Sequence, residues 1–96
     1  MNFFESNVWS ETENSYVADV SLPDVKKGDV KVSINANLIE ISAKSKGNGR
    51  EGQFYNKFTV PERGDIDKIT SKLEDGVLTI TLPKSEKAKG REVKVE

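Results

Sequence analysis

Residues 73–83 read LEDGVLTITLP, and no other stretch of the chain carries a stronger local signal. Asp75-Gly76 supplies a two-residue turn of the positive-φ kind, and Val77, Leu78, Ile80 and Leu82 supply an apolar strand behind it. Leu73 stands on the approaching strand. Pro83 ends the returning one, because it has no N–H to give to a ladder. A hairpin is predicted here, and nothing in it is reactive.

Period-two alternation continues outward from this hairpin. Tyr16, Ala18, Val20 and Leu22 alternate with Val17, Asp19 and Ser21 up to Pro23, which predicts a half-buried strand. Val30, Val32 and Ile34 alternate with Lys31, Ser33 and Asn35. Asn35-Ala36-Asn37 then reverses the chain into Leu38-Ile39-Glu40-Ile41. Phe54, Asn56, Phe58 and Val60 define a further strand closed by Pro61, and Ile69 to Leu73 leads into the opening hairpin. A short strand from about Val8 to Glu11 is anchored by Trp9. DVKKGD (24–29) is expected to be a loop turning at Gly28, and SKGNGREG (45–52) a second loop. No window of a dozen residues keeps helical spacing, and Asp65 to Lys72 reads as a loop entering a strand. Seven to eight short strands with turn signals between them predict an all-β fold, an antiparallel β-sandwich.

The chain of 96 residues makes one domain, divided here into an arm (1–14), a sandwich (15–84) and a tail (85–96). Apolar residues are 34% and charged residues 32%, which suits a thin core, and a net charge of −1 gives no overall pull toward nucleic acid or a membrane. Residues 1–25 hold Glu5, Glu11, Glu13, Asp19 and Asp24 with no Lys or Arg, whereas the tail mixes Lys and Arg with Glu. Cysteine is absent, which excludes disulfides and thiolate chemistry and agrees with a reducing, cytoplasmic setting. MNFFESNVW lacks the basic and apolar regions of a secretory signal, and no apolar run approaches the ~20 residues of a membrane span.

Candidate chemistry is sparse. GNGREG (47–52) spells G-x-G-x-x-G, yet a strand-like QFYNKFTV follows it where a phosphate-binding helix would be required. Histidine is absent, which removes the commonest general base. The carboxylate pairs Asp65/Asp67 and Glu74/Asp75 sit at turns, where Asp is favoured for backbone reasons. No catalytic, cofactor-binding or metal-binding residue is expected. Phe54 and Phe58 share a core face, leaving Tyr55 and Lys57 outside. Phe3, Phe4 and Trp9 form an apolar group that either caps the sandwich or serves as a loose arm contacting client proteins.

DKITSKLEDGVLTITLPKSE (67–86) closely resembles the end of the α-crystallin domain of small heat-shock proteins, and the resemblance extends through 16–46 and 52–62. It implies an immunoglobulin-like two-sheet sandwich and an ATP-independent holdase, which binds partly unfolded clients, needs no cofactor and is not an enzyme. It also implies that a tail motif, matched by Val93 and Val95, plugs a groove formed here by Val32 and Ile34 on one side and Ser71 and Leu73 on the other. Self-association into dimers or small oligomers follows from the same resemblance. Three departures stand out: an arm of about fifteen residues, a short loop between Lys46 and Phe54 that leaves no room for a swapped strand, and Asn56 where arginine is common. A monomeric adaptor related to the CS-type co-chaperone domains, binding one folded partner, is the alternative.

Overall fold

The computed structural model describes residues 8–47, 50–86 and 93–95. Among them are seven strands: β1 (Trp9–Glu11), β2 (Ser15–Ser21), β3 (Val25–Asn35), β4 (Leu38–Gly47), β5 (Arg50–Thr59), β6 (Thr70–Glu74) and β7 (Val77–Pro83). One sheet has the order β1-β2-β7-β6 and the other β3-β4-β5, with every pairing antiparallel. The alternation of apolar residues produces this sandwich directly. Ala18, Leu22, Leu78, Ile80 and Leu82 from the first sheet meet Ile39, Ile41 and Ala43 from the second, all buried, with Val25 and Val60 beside them. Leu22, Ile39, Ile41, Leu78, Ile80 and Leu82 are the largest fully buried side chains, each worth about 1.5–3 kcal/mol by removal from water. No polar or charged residue is buried among the described residues.

The turns follow from a few residues. Asp75 (φ 51°) and Gly76 (φ 76°) both take the left-handed region, the geometry of a type I′ hairpin. Pro23 and Asp24 (φ 60°) return the chain from Leu22 to Val25, whose N–H donates to the Leu22 carbonyl at 3.3 Å. That is a type II turn, with Pro supplying the fixed φ and Asp the positive one. Ala36 (φ 57°) makes the β3–β4 reversal.

Two expected loops are strand instead. DVKKGD lies mostly within β3, which pairs Val25 with Ser45 and Val30 with Ala43. Residues 26–29 stand between these pairs against Lys44 alone, a bulge larger than the two-against-one kind, so apolar alternation breaks although backbone pairing resumes. SKGNGREG is likewise paired: Ser45 faces Gly52, Lys46 faces Glu51 and Gly47 faces Arg50. Glycine-rich composition hid a ladder that needs only backbone groups, so Gly47 and residues 50–53 are strand where a loop was expected. The stretch from Asp65 to Lys72 contains one 3-10 turn, Ile66–Lys68, capped by the Asp65 carboxylate accepting from the Asp67 N–H at 3.1 Å.

Candidate tail and client interface

The two sheets are not closed on one another at both sides. Trp9 on β1 packs edge-on against Phe58 on β5 with ring centroids 5.5 Å apart, so β1 and β5 share one side of the sandwich. The other outer strands, β3 and β6, therefore share the opposite side, each with a backbone edge that no strand among the described residues pairs with.

Residue direction at this margin follows from register. Val32 faces Ile41 and Ile34 faces Ile39, so both valine and isoleucine point inward from β3. Ser71 faces Ile80 and Leu73 faces Leu78, so both point inward from β6. Val32, Ile34 and Leu73 are nevertheless only half-buried, and Ser71 is exposed. An inward-facing residue that still meets solvent marks a gap between the sheets. The fold thus places Val32 and Ile34 on β3 and Ser71 and Leu73 on β6, the two outer strands of this side, all with inward register.

The remaining candidates are placed as follows. Val93 and Val95 are 82% and 91% exposed, so neither is covered by its own chain. Phe3 and Phe4 lie outside the described residues. Trp9 is half-buried, donates its indole N–H to the Thr59 carbonyl at 2.9 Å and touches both Tyr16 and Phe58. It is therefore engaged with the domain in this structure. Gly47 ends β4 and Gly52 lies within β5, a strand where a phosphate-binding motif would need a helix, and a Cβ on Gly52 would lie 2.8 Å from Ser45 Oγ. Glu74 is paired with Lys72 at 2.8 Å, which holds its carboxyl below the ordinary range and raises the lysine. No group of carboxylates that could hold a metal occurs among the described residues.

Three features escaped the alternation pattern. Lys84 has a side chain only 10% exposed, pairs with Glu11 at 2.8 Å and sits 5.4 Å from the centroid of the Tyr16 ring. The hydrogen bond and charge of Lys84 hold the Glu11 carboxyl below its ordinary range. A hollow of about 640 Å³ opens on β3-β4-β5, bordered by Lys31, Ser42, Lys44, Gln53 and Tyr55. A second cleft of about 530 Å³ lies beside β1, β2 and β5, bordered by Val8, Val20, Phe54, Asn56 and Phe58. Tyr55, expected to point outward from its strand, borders both hollows.

Comparison with known proteins fits this architecture. Residues 8–96 match the model of the Hsp20/alpha crystallin family. The 16.9 kDa class I heat shock protein 1 of Oryza sativa subsp. japonica is 39% identical over 91 residues, covering 81% of this chain and 61% of that protein. The 18.3 kDa class I heat shock protein of Oxybasis rubra is 36% identical over 94 residues, covering 84% and 58%. The chain thus spans about six tenths of the length of these relatives. Among solved structures, heat shock protein 16.0 from Schizosaccharomyces pombe superposes with a TM-score of 0.71 at 30% identity, covering 92% of this chain and 72% of that one. A small heat-shock protein from Xylella fastidiosa gives 0.75 at 26% identity, covering 92% of both. On the family match and these identities, the chain belongs to the Hsp20/alpha crystallin family.

Proposed function

We propose that this chain acts as an ATP-independent holdase, binding partly unfolded proteins through apolar surface and free strand edges and so delaying their aggregation. The observation that carries this is the open β3–β6 margin, where Val32, Ile34 and Leu73 are half-covered and inward-facing Ser71 is exposed. An extended segment laid there gains backbone hydrogen bonds from a free edge and seats alternate side chains between the sheets. Such a site discriminates by extension and apolar content, which unfolded chains have and folded ones hide. No reaction, cofactor or metal enters the mechanism.

The same margin receives Val93 and Val95 of another copy, giving dimers or small oligomers that compete with clients for one site. Burying two valines is worth about 3–5 kcal/mol before ordering costs, which suits a contact that exchanges. The working compartment in this reading is the cytoplasm. The test is light scattering of a heat-labile client with and without the protein. Suppression of scattering near stoichiometric amounts is expected; an unchanged aggregation curve at molar excess overturns the proposal.

A further inference from the structure

Beyond being a plug, the tail carries charges whose order matters on β3. Cross-strand partners in a sheet share a face. A tail laid along the β3 edge with its valines opposite Val32 and Ile34 must therefore set Lys94 opposite Ser33. The tail reads Glu92-Val93-Lys94-Val95-Glu96, which is symmetric in charge about Lys94. The next outward position on β3 is Lys31, and it then faces Glu96 in an antiparallel pairing or Glu92 in a parallel one.

Neighbouring registers are worse. Sliding by one pair, so that the valines face Val30 and Val32, sets Lys94 against Lys31 and a glutamate at the level of Asp29. Sliding the other way runs off β3 at Asn35 into the Ala36–Asn37 turn. Lys31 is exposed and forms no ion pair among the described residues, whereas Lys57 on the same face is 3.8 Å from Glu40. Lys44 and Asp29 border the same hollow as Lys31, two cations to one anion.

We infer that Lys31 is the register-determining residue of the β3 margin, selecting the Val32/Ile34 seating of a second copy's tail through the glutamates that flank Val93 and Val95. This rests on the tail-in-margin proposal above. Charge acts here as register selection, because the apolar pockets alone repeat every two residues and do not distinguish one pair from the next.

The test uses the full chain with its own tail disabled by Val93→Asp and Val95→Asp, titrated with a fluorescent peptide of residues 84–96 and followed by anisotropy. Lys31→Glu is expected to weaken the peptide roughly fivefold at low salt, given the modest worth of exposed ion pairs. A peptide carrying Glu92→Lys and Glu96→Lys restores binding to the Lys31→Glu chain. In the Lys31 chain Ile34→Ala weakens binding more than Val30→Ala, and in the Lys31→Glu chain this order reverses. Binding that ignores all of these charge changes overturns the register role and leaves the tail-in-margin reading standing. Absence of any peptide binding overturns both.

Discussion

Trp9 donates its indole N–H to the carbonyl of Thr59 across 2.9 Å, tying the first strand of one sheet to the end of β5 in the other. The ring adds edge contacts to Phe58 and Tyr16. This one side chain ties the two sheets together on the side away from β3 and β6, beside the cleft bordered by Val20 and Phe54. Trp9→Ala is expected to cost about 2–4 kcal/mol, below the range for a fully buried aromatic because Trp9 is half-covered. Trp9→Phe should cost less, retaining ring packing but leaving the Thr59 carbonyl without its donor. Urea unfolding of both variants measures the difference.

Gly64 is bridged to Lys84, and a Cβ there would collide with the Leu82 side chain. Leu82 is fully buried and has nowhere to retreat. Gly64→Ala is expected to destabilise by about 1–3 kcal/mol through overpacking. Gly28→Ala serves as the contrast, since nothing lies within 4 Å of a Cβ at that position in the β3 bulge. Thermal melts should separate the two plainly.

Ala36 holds φ 57° in the β3–β4 turn, a conformation that glycine adopts without steric penalty. Ala36→Gly is expected to raise stability by a few tenths to about 1 kcal/mol, the relief of Cβ strain exceeding the added freedom of the unfolded chain. A lowered melting temperature would mean that the turn tolerates alanine at no cost.

Glu11 titrates below its ordinary range because Lys84 donates to it and adds its charge. A carboxylate depressed in the folded state contributes stability that is present above the unfolded value and lost as pH falls through the folded one. Acidification through and below the ordinary carboxylate range should therefore weaken the wild type more than Glu11→Gln. Glu74, lowered in the same direction by Lys72, behaves alike. Parallel denaturation curves at all pH values for the wild type and Glu11→Gln would remove this contribution.

Val93 and Val95 are 82% and 91% exposed, so changing both to Asp should leave the melting temperature within about 2–4 °C of wild type. The mass distribution, by contrast, should shift toward smaller species in sedimentation. A lowered melting temperature with unchanged mass would place the valines in their own domain's packing instead.

The core was legible because its residues repeat every two positions between strong turns. Ala18, Leu22, Leu78, Ile80 and Leu82 can be assigned inward from the sequence, and Asp75-Gly76 fixes their hairpin. Where side-chain alternation lapses, legibility lapses too: the bulge in β3 and the glycine-rich end of the β4–β5 hairpin are held by backbone groups, which the sequence does not mark. The predicted groove residues were placed by resemblance, and only the three-dimensional arrangement reveals that Ser71 remains exposed although it faces inward. Lys84 and Glu11 lie 73 positions apart, and neither pattern nor spacing connects them. Charge segregation on β3-β4-β5 was equally hidden, since a whole-chain sum near neutrality says nothing about which lysines share a surface.

The three-stranded sheet has β4 at its centre, flanked by two strands whose outer backbones face opposite directions. A polypeptide lodged along β3 lies a full sheet's width from β5 and leaves that border as it stands, tied to Trp9 only at its Phe58–Thr59 end. Under the proposed seating each molecule has a valency of two: it is tethered on one flank while gripping on the other, and chains of such units lengthen or shed members without any one of them refolding.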